Sequence, residues 1–144
     1  MQRLNNLTNC LTQKNQQVGQ KSCLGTIGVK KEDDVVIVSA LRTPMTRARR
    51  GGLSQTAPEL MLAHVFDATL KRTKIDPKLV GDVQVGNVLM PGAGALIARA
   101  AMFMCDMPTE VPCSATNRQC SSGLEACAII AAKIKAGLIG KYIF

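Results

Sequence analysis

The chain has 144 residues, a formal net charge of +8 and 47% hydrophobic residues. A chain of this length is expected to form at most one compact domain, and no apolar run reaches the roughly 18 residues that would predict a membrane span. Five basic residues and no acidic residue lie in residues 1–31, so the rest of the chain is nearly balanced. With one tyrosine and no tryptophan, the chain lacks an aromatic base-stacking platform, and the composition argues against nucleic-acid binding.

Residues 1–31 are predicted to form a flexible targeting extension. They are rich in Asn, Gln, Lys and Gly and show neither helical nor strand periodicity. A basic, acid-free segment is also typical of a mitochondrial presequence, although arginine is scarce here. A solvated tail without any address is the third interpretation. The segment has no continuous apolar core, so a secretory signal is not predicted and the six cysteines are expected to be free thiols.

The remaining residues, 32–144, alternate predicted strands and helices. Such alternation favours an α/β fold with a parallel or mixed sheet, in which ligands bind beyond the carboxyl ends of the strands. The low aromatic content of 3% predicts an aliphatic core. The predicted elements are a strand at 35–41 buried on both faces, a helix that follows a capping pattern at 56–59, a strand at 82–89, a helix at 95–104, a strand at 111–116, a buried helix over 124–134 and a short strand at 141–144.

Two signals predict where the first helix begins and ends. Thr56 and Glu59 have the spacing of a capping box, and Pro58 is tolerated in a first helical turn. Lys71 and Arg72 lie where the negative end of the helix dipole is expected. The apolar positions between them recur at helical spacing, so this helix is expected to pack against the sheet.

Cys120 is the candidate nucleophile of this chain. It follows a predicted strand and lies at or just before the start of an apolar helix. Unpaired N–H groups and the positive end of the helix dipole favour a thiolate at such a position, and the thiolate is the nucleophilic form of cysteine. Ser121, Ser122 and Gly123 are small, which leaves room for a substrate. The alternative from position alone is a small apolar side chain in the core.

Other chemically active residues have weaker contexts. His64, the sole histidine, lies within the first helix without a second potential ligand nearby, which favours a surface or packing role. Cys127 follows Cys120 by seven residues and is expected to pack in the buried helix. The cysteines contain no CxxC pair, so a structural zinc site is not predicted. A basic loop contains Arg47, Arg49 and Arg50, and it could contact a phosphate group, be solvated or line an interface.

The segment Asn117-Arg118-Gln119-Cys120-Ser121-Ser122-Gly123-Leu124 resembles the nucleophile segment of the 3-ketoacyl-CoA thiolases. Arg42-Thr43-Pro44 followed by Gly51-Gly52 resembles the start of a thiolase domain, and residues 86–99 are similar to the corresponding stretch of peroxisomal members. The resemblance covers residues 33–137, about the first quarter to third of a full-length member, and departs at 138–144. It implies a thiolase-like fold of alternating strand and helix layers, represented by the N-terminal part of the first thiolase domain only, and a truncated form is the expectation.

The resemblance also implies a function. Cys120 would accept an acyl group from 3-ketoacyl-CoA, acetyl-CoA would leave, and free coenzyme A would then take the acyl group. Coenzyme A and acyl-CoA are substrates here, and no cofactor or metal is implied. Family members form homodimers and supply the base and acid from a later His-containing motif and a second cysteine, which residues 1–144 do not include. A catalytically silent form that acts through its interaction surface is therefore the alternative.

The N-terminal extension carries a second resemblance. Arg3-Leu4, five intervening residues and Cys10-Leu11 are similar to the N-terminal peroxisomal signal of peroxisomal thiolases. Cys10 stands where that signal has His or Gln, which is the departure that bears on recognition. The resemblance implies a peroxisomal import receptor as a partner and the peroxisomal matrix as the location, with the mitochondrial matrix as the alternative.

Overall fold

The computed structural model of the chain describes residues 31–32, 34–139 and 142–143. Residues 1–34 and residues 35–144 form two separate units. In the first unit, the backbone N–H of Lys31 donates to a carboxylate oxygen of Asp34 at 2.9 Å. The predicted targeting extension, with its Arg3-Leu4 and Cys10-Leu11 pairs, lies outside the described residues apart from Lys31.

The second unit alternates helices and strands. Helix α1 spans Pro58–Thr73, and a 3₁₀ turn at Pro77–Leu79 leads into strand β1, Val80–Gly86. A second 3₁₀ turn at Pro91–Gly94 precedes helix α2, Ala95–Met104. Strand β2, helix α3 and strand β3 complete the order at Cys113–Thr116, Ser122–Lys135 and Tyr142–Ile143. Among the helices that the structure describes, none is long and apolar enough to cross a lipid bilayer.

The three strands form one parallel sheet in the order β2-β1-β3. Val83 pairs with Cys113 and Gly86 with Thr116, and the Asn87 N–H extends this ladder by donating to the Thr116 carbonyl at 3.0 Å. Parallel strands joined by helices place the carboxyl ends of β1 and β2 at the same edge of the sheet. The predicted α/β class is confirmed, and so is the expectation that β2 ends shortly before Cys120.

The core lies between α1, α2 and the sheet, and it is aliphatic as the composition predicted. Phe66 of α1 and Met102 of α2 pack with Val83 of β1, and Val83 and Met102 are fully buried. Helix α1 packs mainly on α2, whereas α3 packs on β1. The other members of this cluster are small or unbranched side chains and two valines: Ala63, Val80, Ala101, Met107 and Val111.

Arg99 of α2 ties the segment before β2 to the core. Its guanidinium group donates to the carbonyl oxygens of Thr109 and Val111, each at 2.5 Å, and lies 4.6 Å from the centre of the Phe103 ring. The planar fork of arginine donors suits two neighbouring acceptors. These bonds attach the segment before β2 to α2. They therefore help to fix where β2 starts and ends.

The strand predicted at residues 35–41 is wrong. These residues form no regular secondary structure, and Val36, Ile37 and Val38 are 71%, 83% and 75% exposed. The physical reason is that a strand exists only when another strand accepts its hydrogen bonds. In this sheet β1 is flanked by β2 on one side and β3 on the other, so the β-branched run has no partner in the described sheet.

Two boundary predictions also need correction. The capping box at Thr56 and Glu59 is wrong: the N-cap residue of α1 is Ala57, with no side-chain hydrogen bond. Pro58 at the first helical position provides the start instead, because its fixed φ is already helical. The strand predicted at 82–89 begins two residues earlier and ends at Gly86, which leaves Leu89 exposed.

Helix α3 exists where it was predicted, but it is not buried all round. Ser122 and Ala126 are buried on the face that packs on β1, whereas Leu124 is 75% exposed. Cys127 is also exposed, so the prediction that it packs in the interior is wrong. A continuous apolar run predicts burial on every side, but within the described residues one face of α3 has a sheet to cover it.

Candidate active site

Cys120 lies at the carboxyl end of β2 and directly before α3. Strand β2 ends at Thr116, Ser121 is the N-cap residue of α3, and the helix begins at Ser122. The thiol is exposed and makes no hydrogen bond within the described part of the chain. The predicted position just before a helix N-terminus is confirmed, and the alternative of a cysteine packed in the core is excluded.

The loop that carries Cys120 is held to the segment after β1 by Asn117. The side-chain amide of Asn117 donates to the Val88 carbonyl oxygen at 3.0 Å, and its oxygen accepts from the Gln119 N–H at 3.0 Å. An asparagine side chain that bonds to the backbone two residues later stabilises a tight turn. The turn before Cys120 is thus fixed relative to a neighbouring strand.

Ser122 holds the same loop from the helix side. Its hydroxyl group donates to the Gln119 carbonyl at 2.6 Å and accepts from the Arg118 N–H at 2.9 Å, and the residue is 3% exposed. The Ser122 side chain therefore points inward and serves the loop rather than the open surface beside the sulfur. Ser121 and Gly123 are exposed, as a site open to substrate requires.

A salt bridge joins the loop to the first turn of α3. The Arg118 guanidinium group lies 2.6 Å from a carboxylate oxygen of Glu125, and the arginine side chain is 66% exposed. An exposed pair of this kind is worth no more than about 1 kcal/mol. Its contribution is to the direction of the Arg118 side chain rather than to the stability of the fold.

Gly86, the last residue of β1, allows the start of α3 to approach the sheet. A Cβ atom at Gly86 would overlap the carbonyl carbon and oxygen of Ser122 and would lie 2.6 Å from the Gly123 nitrogen. These separations are far below van der Waals contact, and the atoms belong to the backbone. A side chain at residue 86 would therefore displace the helix start and Cys120 with it.

The other described thiols differ from Cys120 in their surroundings. Burial raises the pKa of Cys105 and of Cys113, because an apolar environment disfavours the thiolate. For Cys113, the nearby Arg99 partly opposes this rise of the pKa. Cys127 is exposed on the same helix that follows Cys120, seven residues further on. It therefore provides an internal comparison for Cys120 that shares the exposure but not the position at the helix start.

The remaining sequence-predicted candidates are not brought to Cys120 by any described contact. His64 is exposed on α1, and the basic loop of Arg47, Arg49 and Arg50 is exposed as well. No three metal-ligating side chains cluster within residues 31–32, 34–139 and 142–143. An open groove of about 350 Å³ lies beside the carboxyl end of β1; its lining includes Arg42, Met61, Val85 and Asn87.

The sequence placed Cys120 correctly before a helix but did not indicate the residues that hold its loop. The roles of Asn117, Ser122 and Gly86 depend on contacts between β1, the loop and α3. A local signal existed for the first of these, since an asparagine in a turn is typical of a side-chain to backbone bond two residues on. Nothing in the local sequence indicates that Gly86 faces Ser122, because the two residues are distant along the chain.

The fold and the site define an α/β protein with an exposed cysteine between a parallel strand and a helix. The family model described as the thiolase N-terminal domain matches residues 35–143. The chain belongs to the thiolase family. The predicted thiolase-like fold and the recognition of a 3-ketoacyl-CoA thiolase segment are thereby confirmed.

Curated relatives and solved structures agree with this family. The chain is 50% identical over 115 residues to the rat peroxisomal 3-ketoacyl-CoA thiolase A, covering 80% of this chain and 26% of the relative. It is 48% identical over 139 residues to the peroxisomal 3-ketoacyl-CoA thiolase of Yarrowia lipolytica, covering 96% and 32%. The peroxisomal 3-ketoacyl-CoA thiolase structure of Saccharomyces cerevisiae matches with a TM-score of 0.72 and 38% identity, over 76% of this chain and 33% of that one.

This chain therefore spans about a quarter to a third of the length of the relatives it matches. The yeast enzyme has five layers built from two core domains of identical topology. The similarity of this chain lies in the N-terminal part of that architecture, as the sequence resemblance implied.

Proposed function

We propose that this chain carries the acyl-accepting cysteine of a 3-ketoacyl-CoA thiolase, with the Cys120 sulfur as the acyl carrier. The observation that carries the proposal is the exposed thiol at the carboxyl end of β2, immediately before α3. Support comes from relatives about 50% identical to this chain that are named peroxisomal 3-ketoacyl-CoA thiolases. The reaction class is acyl transfer in fatty-acid β-oxidation.

The proposed chemistry has two half-reactions. The Cys120 sulfur attacks the 3-keto carbon of the substrate, a sulfur–carbon bond forms, and the bond between carbons 2 and 3 breaks. The electron pair of that bond leaves with carbon 2, which takes up a proton to give acetyl-CoA. The thiol of free coenzyme A then attacks the thioester, releases the shortened acyl-CoA and returns the proton to the Cys120 sulfur.

The helix that follows Cys120 supports the first half-reaction. Ser122 and Gly123 open α3, and the N-terminus of a helix presents backbone N–H groups and a partial positive charge. Negative charge that develops near the sulfur is stabilised there. Proton transfer needs a base and an acid as well, and no described side chain hydrogen-bonds to the Cys120 sulfur. Complete turnover thus requires groups beyond those that the described residues place at the thiol.

The relatives' names also support a location and an assembly. Several are peroxisomal proteins, and a second matching yeast structure, at TM-score 0.71 and 37% identity, is that of a dimeric peroxisomal thiolase. The match covers 77% of this chain and 30% of that one. The proposal therefore includes the peroxisomal matrix, an import receptor as a partner of residues 1–31, and a homodimer as the active assembly. Acyl-CoA and coenzyme A are the proposed substrates.

A second candidate function, association with another subunit, rests on exposed apolar side chains. Leu96 of α2 and Leu124 of α3 are 82% and 75% exposed, and exposed apolar surface is the kind that protein–protein contacts cover. A chain that uses such surfaces to associate with a full-length subunit, without turnover of its own, would fit them. The two candidates differ in whether acylated Cys120 can be discharged by coenzyme A.

The experiment that tests the proposal is acylation of the purified chain. The protein is incubated with acetoacetyl-CoA, and the adduct is located by intact mass and peptide mapping. We expect one acetyl group on Cys120 and none on Cys127, which is the matched exposed thiol of the same helix. A Cys120→Ala variant should remain unmodified, and half-buried Cys105 and Cys113 should not react in either protein.

Three outcomes decide between the candidates. An adduct on Cys120 that coenzyme A removes, with acetyl-CoA as product, supports the acyltransferase. An adduct that coenzyme A does not discharge favours the silent form that acts through its surface. Absence of any adduct, or equal labelling of Cys120 and Cys127, overturns the assignment of Cys120 as acyl carrier.

A further inference from the structure

Gln119, the residue immediately before Cys120, has a left-handed backbone with φ of +50°. For a residue other than glycine this conformation costs about 1 to 2 kcal/mol, because Cβ approaches the following carbonyl oxygen. Strain of this kind persists where the surrounding structure holds it, and it concentrates at functional sites. A strained Gln119 therefore requires partners that fix its backbone.

Two side chains hold the backbone of Gln119 at both ends. The Asn117 side-chain oxygen accepts from the Gln119 N–H at 3.0 Å, and the Ser122 hydroxyl group donates to the Gln119 carbonyl at 2.6 Å. Each of these side chains is itself anchored. Asn117 donates to the Val88 carbonyl at 3.0 Å, and Ser122 accepts from the Arg118 N–H at 2.9 Å and is buried.

This arrangement sets Gln119 apart from the other left-handed positions. Arg49, Lys74, Ala93 and Asp106 also have positive φ, but among the described hydrogen bonds none of them is bonded through side chains at both its N–H and its carbonyl group. Lys74, for example, is a helix C-cap whose N–H bonds to the Leu70 carbonyl. The Gln119 side chain is exposed. What is held at residue 119 is therefore the backbone.

We propose that Asn117 and Ser122 are positioning residues that lock Gln119 in its left-handed conformation and thereby aim the Cys120 sulfur at an acyl carbonyl. The inference rests on the proposed function of Cys120. Rotation about the Gln119 backbone moves Cys120 relative to β2, while the start of α3 is fixed on β1 at Gly86. Release of either side chain lets Gln119 relax to an ordinary conformation, and the sulfur changes direction without leaving the surface.

The first test removes, in separate variants, each of the two side chains that hydrogen-bond to the Gln119 backbone. Asn117→Ala affects an exposed residue, so it preserves the fold even if Ser122→Ala, at a buried position, does not. We expect the rate of Cys120 acylation by acetoacetyl-CoA to fall at least about tenfold in either variant, because misplacement of a reacting atom by about 1 Å can cost about 100-fold. Alkylation of Cys120 by iodoacetamide, a small reagent without a fixed approach, should stay within about twofold of the original rate.

The second test changes residue 119 itself. Gln119→Gly removes the steric cost of the left-handed conformation, so it should restore much of the acylation rate in the Asn117→Ala background. Gln119→Val should lower the rate in the otherwise unchanged chain, since a β-branched residue opposes positive φ. Gln119→Ala is the matched control: it removes the side chain while leaving the backbone cost similar, and its rate should be unchanged.

The outcomes separate this inference from the proposed function. If the unaltered chain is acylated and both alanine variants are acylated equally fast, the positioning role is overturned while the acyl-carrier role stands. If the unaltered chain forms no adduct, the acyl-carrier role fails. Hydrogen exchange of the Gln119 amide then tests whether Asn117 holds the Gln119 backbone. Slow exchange that becomes fast in Asn117→Ala supports the hold, and equally fast exchange in both chains overturns it.

Discussion

Residues 35–52 and residues 113–126 both begin with a pattern that predicts a strand, but only the second segment forms one. The first begins with a β-branched run but remains without regular structure, with Ile37 83% exposed. The second forms β2, a tightly hydrogen-bonded loop and the start of α3. Both have the local preferences of regular structure. The difference is that β2 has β1 to pair with, whereas the run at 35–41 has no strand beside it in the described sheet.

Pairing with β1 thus distinguishes the two segments. Cys120 is exposed, yet its loop is bonded to the segment after β1 through Asn117 and packed on Gly86 through Ser122. An exposed thiol on a hydrogen-bonded loop fits the role proposed for Cys120. The arginines at 47, 49 and 50 are also exposed, in a segment without regular secondary structure.

The largest loss of stability is expected from Gly86→Ala, where β1 meets the start of α3. The added Cβ would overlap the Ser122 backbone, so either β1 or the start of α3 must move. We expect a loss of about 3 kcal/mol or more in the free energy of unfolding, measured by chemical denaturation. The acylation rate of Cys120 should fall as well.

Gly123→Ala is the matched control for Gly86→Ala. A Cβ at Gly123 meets no atom within 4 Å, and alanine is favoured over glycine within a helix. This variant should be as stable as the original chain or more stable, by up to about 1 kcal/mol. Equal destabilisation by the two substitutions would show that the close approach of β1 and α3 does not matter.

A smaller loss of stability is expected when the salt bridge between the last turn of α3 and β1 is removed. The Lys133 ammonium group lies 2.6 Å from a carboxylate oxygen of Asp82, whose side chain is almost fully buried. Lys133→Ala leaves that carboxylate without its cation, and we expect a loss of about 2 kcal/mol, because the partial exposure of Lys133 reduces the cost of breaking a buried pair.

The paired variant Asp82→Asn with Lys133→Met separates charge from packing. It removes both charges and keeps similar volumes, so it should be more stable than Lys133→Ala alone. Denaturation midpoints of the three proteins provide the comparison. If Lys133→Ala leaves the midpoint unchanged, the salt bridge contributes nothing to the attachment of α3.

The smallest change in stability should come from a substitution within residues 35–41, which lie outside the described sheet. Ile37→Ser replaces an exposed β-branched residue in a segment without regular structure, so the free energy of unfolding should change by no more than about 0.5 kcal/mol. Val83→Ser, at a fully buried position of β1, is the contrasting substitution. Comparable losses for the two would mean that residues 35–41 pair with another segment in solution, and the contrast between the regions would fail.

Much of the site was predictable because its signals are local. The polar segment before an apolar run placed a helix start close to Cys120, and the structure begins α3 at Ser122. The capping box at Thr56 and the burial of Cys127 were wrong, for different reasons. Helix α1 starts one residue later than a Thr56 cap requires, with Ala57 as its N-cap residue, and burial of a helix face depends on which other elements cover it.

The sequence by itself determined the α/β class, the aliphatic core and the position of Cys120 just before a helix, because hydrophobic period and helix starts are properties of neighbouring residues. Only the tertiary structure decided that the run at 35–41 stays outside the described sheet, that Gly86 meets Ser122, and that Gln119 adopts a left-handed backbone. Strand pairing, close backbone approach and local strain all depend on atoms that are distant along the chain or held by several partners at once. Their outcome is therefore set by the packed molecule and not by the local sequence.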